Sequence, residues 1–152
     1  MNSGLVQSIA DLSSRWRNPF SRSKDSPQHI RRGALGEKLA AKFLRRNGYK
    51  ILYRGFKGNQ GGQIDLVCRD DDTLVFIEVK TRGSEYFGRP FESIRQDQRR
   101  RISRGALTWL RMLDNPEIPF RFDAVEIVIE GRSQPRVELI KNAFQLSKPY
   151  IY

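Results

Sequence analysis

An α/β sandwich on a mixed central sheet is what this chain predicts, and three observations carry that expectation. Apolar residues recur with a helical period over Ile30–Asn47 and again over Phe91–Leu113. Five further segments have strand character, and two of them alternate with period two around an acidic turn. The order is helix, three strands, helix, two strands, so the second helix forms a crossover between the third and fourth strands.

At 152 residues the chain is long enough for one domain. Lys and Arg number 28 against 17 Asp and Glu, a formal net charge of +11. That excess bears on partners and points to nucleic acid or an anionic membrane surface. No run of about 18 apolar residues occurs, so no transmembrane helix is expected. Cys68 is the only cysteine, which excludes a disulfide framework and fits a reducing cytoplasm. With His29 as the only histidine, a zinc site of the Cys/His kind cannot be assembled.

Residues 1–28 read as a flexible basic arm, with serines, Pro19, Pro27 and scattered arginines. Leu5, Ile9, Leu12 and Trp16 would share one face of a short helix there, and no secretory h-region or cleavage site is visible. The domain proper is then 29–152.

The first helix ends at Gly48, a suitable residue just past a helix. On its wheel, Ala34, Ala40, Ala41 and Leu44 lie within about 60° of Glu37. Glu37 is therefore an acid on the small, mostly apolar arc, where a carboxylate needs a cationic partner or a metal. Lys38, Lys42, Arg45 and Arg46 lie around the flank and back. Tyr49–Lys57 is the first strand. Gly55, Gly58, Gly61 and Gly62 follow as turn residues without the spacing of a phosphate-binding loop.

The hairpin Gly61–Lys80 is the most informative stretch. Ile64, Leu66 and Cys68 alternate with Gln63, Asp65 and Val67, and Val75, Ile77 and Val79 alternate with Glu78 and Lys80. A turn centred on Asp71 and Asp72 makes paired residue numbers sum to 143. Asp65 then stands opposite Glu78 and Gln63 opposite Lys80, with Cβ atoms roughly 5 Å apart. The two carboxylates and the lysine share one face, and aliphatic residues fill the other. Like charges directly across a ladder destabilise it unless a cation sits between them. Mg²⁺ suits one or two carboxylates and fills its octahedron with water and phosphate oxygens. Lys80 would contact the phosphate.

Thr81–Phe91 is expected as a loop carrying Arg82, Arg89, Tyr86 and Phe87 beside this face. The helix Phe91–Leu113 buries Ile94, Ile102, Ala106, Leu107, Leu110 and Leu113. It carries Arg95, Arg99, Arg100, Arg101, Arg104 and Arg111, a cluster suited to phosphates. Phe120–Glu130 is a mostly buried strand, Gly131–Pro135 a turn, and Val137–Ile140 a final short strand.

Several of these motifs, in this order, resemble the bacterial YraN-like family. They are Gly36-Glu37, Gly62-x-Ile64-Asp65-Leu66, Val75 to Arg82, and Arg121-Phe122-Asp123 before an apolar strand. The resemblance runs from about Arg31 to Phe144. It implies the restriction-endonuclease-like, PD-(D/E)xK architecture, similar to archaeal Holliday junction resolvases. It further implies Mg²⁺- or Mn²⁺-dependent cleavage of DNA phosphodiesters, with branched DNA of repair or recombination as the substrate class. Glu37, Asp65, Glu78 and Lys80 are then the catalytic set, with Asp65 and Glu78 as metal ligands; in the favoured metal-assisted hydrolysis the Val79 carbonyl is a further oxygen ligand open to the ion. Arg82, Arg89, Arg95, Arg99, Arg100, Arg101 and Arg104 are the expected nucleic-acid contacts. Two positions depart from the family pattern, which has Glu at Gln63 and Lys near Gln98. The second reading is therefore a nucleic-acid-binding module with a degenerate site, and the third a membrane-surface adaptor. A homodimer is expected by analogy with resolvases that cut two strands symmetrically.

Overall fold

The computed structural model describes residues 28–83 and 94–150, with side chains from Arg31 onward. Residues 1–27 of the expected N-terminal arm and Arg89 lie outside the described residues, as do Tyr86, Phe87 and the expected start of the second helix at Phe91, whereas Gln28, assigned to the arm, opens the first helix. The elements are α1 (Gln28–Arg46), β1 (Lys50–Lys57), β2 (Gln63–Asp70), β3 (Thr73–Arg82), α2 (Gln96–Met112), β4 (Phe120–Val128) and β5 (Arg136–Phe144). The five strands form one mixed sheet in sequence order, with β3 and β4 parallel and every other pair antiparallel. The expected α/β architecture is the observed one.

Each face of the sheet carries a buried cluster under one helix. Ala40, Ala41 and Leu44 of α1 cover Leu66, Cys68, Val75, Ile77, Val125 and Ile127. On the other face Ile102, Ala106, Trp109 and Leu110 of α2 cover Ile64, Val67, Phe76 and Phe122. This corrects the division of the hairpin into an acidic and an aliphatic face. Ile64 packs under α2 while Leu66 packs under α1, so β2 changes face within three residues. The acidic residues occupy one end of a face that is otherwise core.

Close packing of the helices depends on missing side chains. A Cβ on Gly36 of α1 would collide with the Thr81 side chain of β3. A Cβ on Gly62 would enter the backbone of Gly105 in α2, and one on Gly105 would press on Ile64 and the Gln63 backbone. These contacts seat α1 over the end of β3, and α2 over the start of β2.

Most element ends fall within two residues of expectation, and the larger departures are at β3, α2 and β5. β3 extends through Thr81 and Arg82, which pair with Ile127 and Val128, so these residues are strand and not loop. α2 begins at Gln96, because Arg95 is extended (φ −62°, ψ 154°) and its N–H donates to Gln98 Oε1 at 3.4 Å. β5 runs nine residues to Phe144. Its polar Lys141 and Asn142 hide the strand pattern, and Asn142 has φ 51°, in the left-handed region.

Candidate functional site

The site forms where β2 and β3 part. Their ladder runs from Asp70–Thr73 to Leu66–Ile77, with paired numbers summing to 143 as the turn predicts, and stops there. Beyond it β3 stays with β4 as far as Arg82–Val128, and β2 stays with β1 through Ile64–Phe56 to Gln63–Lys57. Asp65 is the first β2 residue past the divergence, and its Oδ2 accepts the Val79 N–H at 2.8 Å. A carboxylate thus satisfies a backbone donor that the separating strand no longer reaches. Gln63 does not stand opposite Lys80: it pairs with Lys57 on β1, because the strands have already separated.

Asp65 and Glu78 lie within hydrogen-bonding reach of each other. Burial, and after it the neighbouring Asp65 charge, push the Glu78 carboxyl up to about 8. Asp65 is also raised, chiefly by burial, although the Val79 N–H opposes the shift. Two buried carboxyls in contact cannot both ionise cheaply, so near neutrality the pair retains a proton. Arg101 of α2 supplies a counter-charge, its Nη2 lying 3.8 Å from Glu78 Oε1. Glu37 approaches from α1. Its carboxyl is pushed up to about 7 by burial and by the Asp65 charge, with Arg54 opposing.

Lys80 follows Glu78 on the same side of β3, and its Nζ donates to Gln98 Oε1 at 2.9 Å. Gln98 therefore ties the lysine to the first turn of α2, where the same oxygen receives the Arg95 N–H. Arg82 is an internal residue, its Nε 3.2 Å from Glu126 Oε1. Glu126, beside Lys80 in the β3–β4 ladder, is a buried acid that sequence reasoning passed over. Its Oε2 has no protein partner. The available signal was an acid within an otherwise apolar strand.

The arginines of α2 are more engaged than a phosphate-binding row would be. Arg99 Nε donates to the Ile94 carbonyl at 2.7 Å, and its guanidinium lies 5.9 Å from the Phe144 ring centroid. Arg101 turns toward Glu78, and the Arg104 Nε is buried. Arg95 reaches Asp97 at 3.4 Å in an exposed pair. Arg100 is exposed.

Among the described residues, no three His, Cys, Asp or Glu side chains converge on one point. The donors present nevertheless fit a hard cation that needs few protein ligands. Asp65 and Glu78 offer adjacent carboxylate oxygens, and their retained proton marks where positive charge is wanted. The Val79 carbonyl is the third oxygen donor the sequence nominates.

A second polar cluster occupies the opposite end of the sheet. Arg121 donates to both carboxylate oxygens of fully buried Asp123 (3.0 and 3.1 Å), to Asp70 Oδ2 (2.6 Å) and to the Tyr49 hydroxyl (2.9 Å). The Asn142 N–H donates to Asp123 Oδ1 at 2.9 Å. Arg121 holds the Asp70 carboxyl below its ordinary range. The network joins β2, β4, β5 and Tyr49 in the link between α1 and β1, and it satisfies every charge it buries.

These features define an α/β sandwich with a carboxylate pair and a lysine where two strands of a mixed sheet diverge, and a third acid approaching from α1. The model of uncharacterised protein family UPF0102 matches residues 36–127, and the chain belongs to that family. It is similar to UPF0102 proteins of Geobacter metallireducens (44% identical over 115 residues, 76% of this chain and 93% of the relative) and Geotalea uraniireducens (39% over 126 residues, 83% and 98%). A UPF0102 protein of Nocardia farcinica is 41% identical over 112 residues, covering 74% of this chain and 87% of its own.

Proposed function

We propose that the protein is a metal-dependent endonuclease of the restriction-endonuclease-like class, acting on DNA in the cytoplasm. The observation that carries this reading is the meeting of the Asp65 and Glu78 carboxyls at the divergence of β2 and β3, with Lys80 two residues further on. Asp65 and Glu78 would hold Mg²⁺ or Mn²⁺, with the Val79 carbonyl as a further oxygen ligand. When bound, that ion supplies charge neutralisation for the phosphate and lowers the pKa of attached water.

The chain's own groups divide the remaining work. Lys80, held by Gln98, stabilises negative charge developing on a phosphate oxygen. Glu37, with its carboxyl near 7, can exchange a proton at neutral pH from the α1 side. Arg101 balances Glu78 in the resting site and is placed to pass to a phosphate once a cation takes its role.

A panel of duplex, flap, single-stranded and four-way-junction DNA with Mg²⁺ or Mn²⁺ tests the proposal. Metal-dependent cleavage by the wild type, abolished by Asp65→Asn with DNA binding retained, is the expected result. The second reading, a binding module without chemistry, is favoured by Gln63, whose amide carries no charge where the resembled family has Glu. Binding without cleavage by both wild type and Gln63→Glu would select it.

A further inference from the structure

The outward face of α1 carries the most exposed positive charge in the described fold. Arg31, Lys38, Lys42, Arg45 and Arg46 are all exposed, and at 100° per residue they fall within an arc of about 100°. That arc lies opposite the one that buries Ala40, Ala41 and Leu44. No acid interrupts it, since Glu37, the only acid of α1, lies on the inward side near Asp65 and Arg54. Among the described residues, none of Lys38, Lys42, Arg45 and Arg46 takes part in an ion pair. From Arg31 to Arg46 the row spans about 22 Å along the axis.

Long side chains of one sign on a single helix face repel each other and weaken the helix slightly. A linear polyanion relieves that repulsion, and condensed counterions released from a duplex drive the association. A membrane-surface helix would need a free apolar stripe beside its cations. Here the apolar stripe is already buried against the sheet, and among the described side chains of α1 Leu35 (46% exposed) is the one large apolar group left outside.

We infer that the outer face of α1 is a second contact surface for the phosphate backbone of a nucleic-acid duplex, separated by the sheet from α2. The inference rests on the reading that nucleic acid is the partner, and it deepens that reading. One copy of the chain engages two duplex segments, one on each side of the sheet. That arrangement suits a substrate in which two helical arms meet. Lys38, Lys42, Arg45 and Arg46 carry the contact on the α1 side.

The test uses the full chain and duplex DNA. Affinity is followed across salt for the wild type, for a variant with Lys38, Lys42, Arg45 and Arg46 all replaced by alanine, and for Arg100→Ala/Arg104→Ala. Each lost phosphate contact lowers the log–log slope by about 0.9, so the loss of all four contacts in the α1 variant should lower it by about 3.6. The charge-keeping variant Lys38→Arg/Lys42→Arg should keep the wild-type slope. In a sandwich format, wild type bound to an immobilised duplex should recruit a second labelled duplex, and the α1 variant should not. An unchanged slope with unchanged recruitment in the α1 variant overturns the surface. So does a loss of binding to phosphatidylserine vesicles with DNA binding untouched, which would assign the face to a membrane. Loss of slope confined to the α2 variant rejects the α1 surface alone. A wild type that shows no salt-dependent binding to DNA rejects the nucleic-acid reading itself.

Discussion

Glu78 and Asp123 are both buried acids, yet their surroundings give them opposite consequences. Glu78 meets another carboxyl and lies 3.8 Å from one arginine, so burial and Asp65 hold its pKa near 8. A carboxyl raised above its unfolded value of about 4.5 binds more protons in the native state between those two pH values. Its penalty is absent at low pH and grows as pH rises through that window, and Glu37 adds to it up to about 7. In the absence of divalent metal, Tm should therefore fall between pH 5 and pH 8, and Glu78→Gln should flatten that fall. Each kcal/mol lost corresponds to about 2–4 °C for a domain of this size. A Tm profile identical in wild type and Glu78→Gln would show that the acid pair is not the cause. Asp123, by contrast, accepts from Arg121 and the Asn142 backbone and is fully satisfied. Asp123→Ala leaves Arg121 facing a buried gap. Asp70 still pairs the guanidinium, so the loss of the acceptor for Arg121 Nε and for the Asn142 N–H should cost about 1–3 kcal/mol by denaturant unfolding, beyond the effect of removing an exposed acid such as Asp97.

At the scale of elements, the site depends on two helices held at fixed heights above the sheet. Gly36 lets α1 approach Thr81, two strand positions from Val79, and so brings Glu37 toward Asp65. Gly36→Ala should destabilise by about 1–3 kcal/mol through overpacking, and Thr81→Ala should restore part of that loss. Recovery is incomplete because the Thr81 Cβ itself would lie 3.0 Å from the new methyl carbon. An undiminished Tm in Gly36→Ala would mean that the helix can shift away freely. On the other face, Gln98 joins the first turn of α2 to Lys80 and to the Arg95 N–H. Gln98→Ala should cost about 0.5–2 kcal/mol, the usual range for a lost helix cap. It should also lower any cleavage rate more than it lowers DNA affinity, because it leaves the exposed cations in place. Equal losses in the two would make Gln98 a structural cap alone.

For the whole molecule, the net charge of +11 sets two salt effects against each other. Added salt screens the self-repulsion of the folded chain and should raise Tm, while the same salt weakens binding to duplex DNA. A parallel fall of stability and affinity with salt would contradict this. Among the described residues no helix is long and apolar enough to cross a membrane, as the hydropathy of the chain requires. Cys68 is buried with its thiol pushed up to about 12, so it should resist thiol reagents at pH 8 until the domain unfolds.

The residues alone determined the local elements of this protein. A period of two around Asp71 and Asp72 specifies one hairpin register, since a slip by one residue would turn every side chain over. The apolar arc of α1 and the crossover between β3 and β4 follow from short-range pattern in the same way. What only the tertiary structure decided is where β2 leaves β3. That point turns on the pull of β1 and β4 on strands that pattern treats as fully paired. The same competition placed Gln63 opposite Lys57, carried β3 on to Arg82, and brought Glu126 from a distant strand beside Lys80. It also decided which cations face water. Periodicity reports the side of a helix on which a charge lies, but not whether a carboxylate, a carbonyl or a ring waits within reach. Arg99 and Arg101 of α2 found such partners inside the fold, and Lys38, Lys42, Arg45 and Arg46 of α1 were left outside it.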